Sequence, residues 1–336
     1  MKLLTDQTIP QSERWSRVAD TIHPDDNQAR NRRFLVRSIS KIIPSKYKAI
    51  FDAIALDKHY DAVVLTPSTG IRYAFVNSML HRKPKPKTVL FEFWLHEDKG
   101  SIHAFKDFFR RIALQKVDLI ITPSREEIVR YSLEYKIDKS KIIFIPFHTN
   151  EETLEFPVQY GDYVFSGGRS GRDFNTLIKA IEGTNIKLKL VVGKDEKLKE
   201  DIADNIEVFT EIDFRKYLEL LKDARIVVVP LKPENRSSGQ VVLLEAMGAA
   251  KPVVVTKTVG TEDYITDGHD GFFCSPHDVQ NLRKLLLKLF YDIDLVKEIG
   301  RNARNTVEGK YLLENYVKQN LAAIRRLIEH RQGELM

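Results

Sequence analysis

Residues 236–256 read RSSGQVVLLEAMGAAKPVVVT. Small polar residues and one glycine lead into an apolar run of helical length, and Pro252 ends that run ahead of three valines. Proline lacks the amide proton and clashes with the preceding helical turn, whereas a valine run prefers the pleat of a strand. The stretch therefore reads turn, helix, strand, with the helix beginning near Gln240. A helix and a strand that are both apolar need cover on every side. A parallel sheet with helices on both faces supplies it.

The same alternation runs outward in both directions. Short β-branched runs lie at 61–66, 88–93, 118–122 and 142–146, then at 163–166, 187–192, 206–209, 225–230 and 252–256. Amphipathic helices fit between them, at 124–136 with Ile128, Val129 and Leu133, and at 213–222 with Phe214, Tyr217, Leu218 and Leu221. Strands spaced by such helices indicate α/β architecture with open parallel sheets. The polar stretch HTNEETLEFPVQYGD, 148–162, contains Pro157 and interrupts the pattern, so it is the expected linker. Beyond Asp278 every segment reads as helix. Two domains result, 1–150 and 151 onward.

Composition agrees. A chain of 336 residues exceeds one ordinary core, and 43% apolar with 30% charged residues suits a folded soluble protein. One cysteine, Cys274, rules out an internal disulfide framework and suits a reducing cytoplasm. No window offers the roughly 18 uncharged apolar residues of a membrane span, and the opening MKLLTDQTIPQSER lacks the pattern of a signal peptide. The net charge of +6 is unevenly spread: residues 27–51 carry Arg30, Arg32, Arg33, Arg37, Lys41, Lys46 and Lys48 with no acid. Phe34, Leu35, Ile39, Ile42 and Ile43 lie among them, a mixture that fits peripheral contact with an anionic membrane surface. A second basic–apolar stretch, 104–117, reads instead as an ordinary amphipathic helix with its stripe on the core and its charges solvated. No finger, recognition-helix or RNA-binding signature accompanies the charge, so nucleic acid is not an expected partner.

Ligands of open parallel sheets bind beyond the carboxyl ends of the strands. Three such junctions carry unusual residues. In SGGRSGRDFNTL, 166–177, Gly167, Gly168 and Gly171 allow close backbone approach, Arg169 and Arg172 offer guanidinium forks, and Asp173 or Asn175 is placed to cap the next helix. Neither GxGxxG nor GKS/GKT is present, so this is a phosphate site of another kind or a flexible turn with solvated arginines. At the opening stretch, Ser237, Ser238 and Gly239 precede a helix start whose free amides suit an anion. Glu245 lies farther into that apolar helix; if it is not simply solvated it needs donors, and ribose hydroxyls are suitable ones. The third junction, TPSTGIRYAF at 66–75, offers Ser68, Thr69, Gly70 and Arg72 as another anion-receptive start or an ordinary turn, and FEFWLHED adds Glu92, His96, Glu97 and Asp98. The histidines are scattered and the cysteine is alone, so no metal centre is expected. A nucleophile elbow is lacking as well.

These residues resemble glycosyltransferase family 4, the retaining enzymes of the GT-B fold with two facing Rossmann-like domains. The resemblance covers about 118–330 and rests on an ordered series: DLIITPSREEIVRYSLEYKIDKSKIIFIP, YVFSGGRSGRDFNTLIKAI, IEVFTEIDFRKYLELLKDARIVVVP, SSGQVVLLEAMGAAKPVVVT and VGTEDYITDGHDGFF. It implies a donor domain at 151–311, an acceptor-side domain at 1–150, and a last helix, 312–336, that packs back on the first domain. By the same resemblance Arg169 and Arg172 hold a donor diphosphate, with Arg172 where the family usually has lysine. Thr210 and Glu211 border the base, the amides of Gly239, Gln240 and Val241 face the diphosphate, and Glu245 binds the ribose. The substrate implied is a nucleotide-diphosphate sugar, UDP- or GDP-linked, with no further cofactor and no metal; the partner is a glycan or glycolipid acceptor. Two departures stand out. Ser237 occupies the position where the family often has a second acid, with Glu234 near but out of register, and the first half lacks a glycine-rich loop after an initial strand. His96 and His103 are the candidates for the family's acceptor-side histidine. The alternative expectation is a GT-B-like binding or scaffold protein that has lost transfer.

Overall fold

The structure, a computed structural model, describes residues 1–6, 12–22, 45–80, 86–95, 103–198 and 202–333. The chain forms two compact units, one of Met1–Ile145 with Tyr316–Met336, the other of Pro146–Asn315.

In the first unit, strands β1 (Leu3–Thr5), β2 (Ala19–Thr21), β3 (Ala62–Leu65), β4 (Lys87–Leu90), β5 (Leu119–Thr122) and β6 (Ile142–Phe144) make one sheet in the order β2-β1-β3-β4-β5-β6. Every pairing is parallel. Helices α1 (Glu13–Ser16), α2 (Ser45–Leu56), α3 (Pro67–Met79), α4 (His103–Gln115) and α5 (Arg125–Tyr135) connect or flank these strands. The second unit has β7 (Tyr163–Gly167), β8 (Lys187–Val192), β9 (Ile206–Thr210), β10 (Ile226–Val229), β11 (Val253–Thr256) and β12 (Phe272–Cys274), again all parallel, in the order β12-β11-β10-β7-β8-β9. Its helices are α6 (Phe174–Ile181), α7 (Phe214–Lys222), α8 (Gln240–Gly248), α9 (Val279–Tyr291) and α10 (Ile293–Lys310). The last helix, α11 (Leu313–Gly333), belongs to the first unit from Tyr316 onward.

The valine runs behave as doubly covered strands must. Val227, Val229, Val253 and Val255 enter one core cluster with α8, while Val228 and Val254 enter the other with α6 and α9. Each sheet reverses its winding once, between β1 and β3 in the first unit and between β7 and β10 in the second. The carboxyl ends of those strand pairs are the switch points where a crevice opens.

Three expectations need adjustment. Residues 148–162 are not a loose linker: Thr149 Oγ1 donates to the carbonyl of Leu244 on α8 at 3.1 Å, and the Arg304 guanidinium donates to the carbonyls of Leu154 and Phe156. Polar side chains make the segment look solvated in sequence, yet they are the groups that fasten it, and the division between units falls at 145/146. Strands β1, β2 and β12 add to the expected set, because three-residue strands are too short to show a period. Of the basic stretch 27–51, residues 27–44 lie outside the described residues, so the membrane-surface expectation has no structural counterpart here.

The stretch 104–117 favours the core reading. Ala113 and Leu114 of α4 are fully buried, Phe109 packs edge-on against Phe75 at 5.1 Å, and Arg110 pairs with Asp107 at 3.2 Å; Phe108 stays exposed. Among the described residues no helix is long and apolar enough to cross a membrane.

Candidate functional site

The loop after β7 is shaped by its own arginine. Arg172, 5% exposed, turns back so that Nε donates to the Gly167 carbonyl at 3.1 Å and Nη1 to the Ser170 carbonyl at 2.8 Å. Gly168 sits at φ +128°, and a Cβ there would lie 2.6 Å from Arg172 Nε. At Gly167 a Cβ would lie 2.8 Å from the Tyr217 ring. The two glycines thus make room for Arg172 and Tyr217, a packing demand that no local spacing in the sequence reports. Burial pulls the Arg172 pKa down to about 10, opposed by the fields of Tyr217 and Glu234, so the guanidinium stays charged at neutral pH. Gly168→Ala should therefore destabilise the second unit by about 1–3 kcal/mol, measured by denaturant unfolding, because both the backbone region and the space are closed to a side chain.

Asp173, not Asn175, caps α6: its carboxylate accepts from Thr176 N at 3.2 Å and Thr176 Oγ1 at 2.6 Å, and lies 2.7 Å from His277 Nδ1. The two arginines of the loop diverge. Arg169 is exposed, with Nη2 3.4 Å from Glu211 Oε2. Glu211, at φ +54°, also accepts from Lys194 N at 3.0 Å, just past Thr210 at the end of β9.

The loop after β10 closes on the first loop from across the switch point. Lys232 N donates to the Gly171 carbonyl at 2.8 Å, and Arg236 Nη2 to Ser170 Oγ at 2.6 Å. Glu234 pairs with Arg236 at 3.0 Å. A Cβ on Gly171 would meet Glu234 Oε2 at 3.1 Å and Ser238 Oγ at 3.3 Å, so these groups converge there. Ser237 and Ser238 are buried. Gly239, left-handed at φ +91°, is the N-cap of α8 and gives it no side-chain acceptor. A nine-residue helix, buried at every position but Val241, therefore begins without the usual side-chain oxygen cap. Gln240 is buried and its Nε2 donates to the Gly260 carbonyl at 2.9 Å, tying in the turn of VGTEDY, while Val241 is half exposed.

Glu245 follows on the same helix, 3% exposed. Burial raises its carboxyl to about 7, and the Tyr217 hydroxyl, which donates to Oε2 at 3.3 Å, works against that rise. Tyr217 itself is held far above the ordinary phenol range, first by burial and then by the Glu245 charge. Its periodicity on α7 marks it only as a core residue; nothing in the local pattern distinguishes a core tyrosine from one that serves a carboxylate.

In the first unit, Ser68 and Thr69 fall in the first turn of α3 and Gly70 is buried there, where a Cβ would collide with Leu90. A carboxylate of the chain's own stands just ahead of this helix start. Asp6, just past β1, accepts from Thr66 N at 2.9 Å and from Thr66 Oγ1 at 2.6 Å. Arg72 is exposed. Glu92 follows β4 with φ +50°, accepts from Tyr316 Oη at 3.0 Å, and is raised by burial and by the Asp6 charge. Asp6 gives no signal in the sequence because β1, which positions it, gives none. His96 lies outside the described residues, as do Glu97 and Asp98. Among the described residues no three His, Cys, Asp or Glu side chains gather to hold a metal ion.

Comparison with known proteins places this geometry. Residues 172–292 match the family model described as glycosyl transferases group 1. The uncharacterized glycosyltransferase MJ1178 of Methanocaldococcus jannaschii is 26% identical over 59% of this chain and 56% of its own length. The capsular polysaccharide biosynthesis glycosyltransferase CapM of Staphylococcus aureus is 27% identical over 37% of this chain and 36% of its own. The chain thus spans about half or less of the length of these curated relatives. Among solved structures, HepE of Anabaena in complex with UDP superposes with TM-score 0.70 at 16% identity, over 97% of this chain and 100% of that one. A glycosyltransferase of Rickettsia africae gives 0.67 at 17%, over 97% and 90%. The chain accordingly has the GT-B fold, and its residues 172–292 are similar to the glycosyl transferases group 1 family.

Proposed function

We propose that the chain transfers a sugar from a nucleotide-diphosphate donor, UDP- or GDP-linked, to a hydroxyl of a lipid-linked or cell-surface glycan, with retention and without a metal ion. One observation carries the reading: at the β7/β10 switch point the second unit brings together a buried guanidinium, an uncapped helix start and a buried carboxylate. In this reading Arg172 and the amides at Gly239, Gln240 and Val241 receive the diphosphate, with Arg169 on the rim. Glu245 accepts from the ribose, Thr210 and Glu211 border the base, and Gly167, Gly168, Ser237 and Ser238 line the side toward the sugar. Positive charge and amide dipoles stabilise a departing diphosphate electrostatically. The acceptor hydroxyl then forms its bond to the anomeric carbon on the face the diphosphate leaves, and its proton passes to the leaving phosphate oxygen. No strong protein base is required. On the acceptor side, Glu92 and Asp6 are the carboxylates at strand ends of the first unit, with Ser68, Thr69 and Arg72 near the start of α3.

HepE, which shares the fold, has been solved with UDP and with UDP-glucose, and CapM belongs to capsular polysaccharide synthesis; both support the donor and acceptor classes named here. The alternative, a donor-binding protein without transfer, is favoured by Ser237 in the position of an acid. A thermal-shift panel of UDP, GDP and their sugars, followed by donor-hydrolysis and transfer assays with anomer-resolved NMR, tests the choice. One nucleotide class should raise the melting temperature by several degrees at a hundredfold excess over its Kd. No shift with any nucleotide rejects the reading, and binding with neither hydrolysis nor transfer selects the alternative.

A further inference from the structure

Arg172 and Glu245 are both buried in the second unit, and Tyr217 touches Glu245 directly and also Gly167, whose carbonyl Arg172 holds. The Tyr217 ring packs against Gly167, stands edge-on to Phe165 at 5.4 Å and stacks on Phe214 at 6.0 Å, so it has little freedom to turn. Arg172 holds the carbonyl of that same Gly167, so one residue of the loop meets both the guanidinium and the phenol ring. From there the Tyr217 hydroxyl donates to Glu245 Oε2 at 3.3 Å. A carboxylate as buried as Glu245, held by one long hydrogen bond, has acceptor capacity left for a ligand.

We propose that Tyr217 is a positioning residue that holds the ribose-side carboxylate Glu245 as an acceptor beside the loop of the phosphate-side guanidinium Arg172, so that a nucleotide sugar is gripped at both ends only while Glu245 is ionised. This rests on the donor reading above. The charged and titratable groups facing the pair come from three elements: Tyr217 on α7, which bears on both Glu245 and Arg172, Arg172 after β7, and Glu234 and Arg236 after β10, which bear on Arg172. Burial favours the neutral acid at Glu245 and the tyrosine hydroxyl favours the anion. Ribose hydroxyls donate to the anion, so binding releases a proton wherever the free carboxyl still holds one. Affinity should fall about tenfold for each pH unit below 7.

Calorimetry with UDP-glucose and GDP-glucose side by side, from pH 5.5 to 9, tests the proposal, because their diphosphate diesters carry no proton in this range. In the wild-type chain the affinity of the bound donor should weaken below about pH 7. Tyr217→Phe keeps the ring packing and removes only the hydroxyl. It should move the midpoint up by about one pH unit, weaken binding several-fold at pH 7, and leave it within about twofold of wild type at pH 9. A carbon-13 NMR titration of Glu245 in the unliganded protein should show the same upward move. An unchanged midpoint in Tyr217→Phe, or equal weakening at every pH, overturns the proposal while the donor reading stands. Failure of both sugars to bind wild-type protein at any pH rejects the donor reading, and this proposal with it.

Discussion

Arg172→Ala should lower sugar transfer by about a hundredfold or more at saturating acceptor, and should weaken nucleotide-sugar binding as well. The size of the effect follows from where the charge sits. A guanidinium 5% exposed acts on a diphosphate through little water, and it is oriented in advance by the carbonyls of Gly167 and Ser170 at 3.1 and 2.8 Å. Arg172→Lys should recover only part of the loss. An ammonium carries the charge but cannot fork onto two carbonyls and still present a planar edge to phosphate. Removing the side chain also uncovers those carbonyls, so a stability loss of about 1–3 kcal/mol is expected and denaturant unfolding measures it separately. Arg169→Ala is the internal comparison: an exposed ion pair to Glu211 contributes little to stability, so its effect should fall on KM and shrink at high salt. Unchanged turnover in Arg172→Ala at saturating donor would exclude the diphosphate role.

How much of this could be read in the sequence depends on the length of the signal. Four-residue runs such as Ile226–Val229 and Val253–Thr256 are apolar at nearly every position, and both were legible as buried parallel strands. Leu3–Thr5 and Ala19–Thr21 carry no such pattern, yet β1 places Asp6 against the start of α3. The helix start that looked receptive to an anion therefore has a carboxylate of the chain's own bound to the residue just ahead of it. Gly239 and Gln240 were legible because a glycine directly before an apolar helix marks a sharp backbone turn, and the backbone there is left-handed as a glycine permits. Gly167 and Gly168 were legible as special, but the packing demand that Tyr217 and Arg172 place on them, from 50 and 4 residues away respectively, was not. Tertiary packing sets those constraints, and no local spacing reports it.

Glu245→Gln should separate binding from stability, because the two are expected to move in opposite directions. The carboxyl is raised by burial from 4.5 to about 7 in the folded chain. A raised acid binds its proton more tightly in the folded state, so its contribution is fully present below pH 4.5 and is lost as pH rises through 7. The difference amounts to about 3 kcal/mol at pH 8. Glutamine keeps the shape and the Tyr217 contact without ever ionising. The variant should therefore melt several degrees higher than wild type at pH 8 and show no advantage near pH 4.5. Nucleotide-sugar affinity should fall about tenfold or more at pH 8, since an amide oxygen is a weaker acceptor for ribose hydroxyls than a carboxylate. The pH dependence of what binding remains should flatten. Melting curves at the two pH values and calorimetry at pH 8 decide the matter. Equal affinity in Glu245→Gln and wild type would reject the ribose role; lower stability at pH 8 would mean that the charge is answered by partners other than Tyr217. A buried acid that costs the fold stability at neutral pH, and that one tyrosine hydroxyl offsets only in part, is what a carboxylate kept for a ligand in an apolar helix should look like.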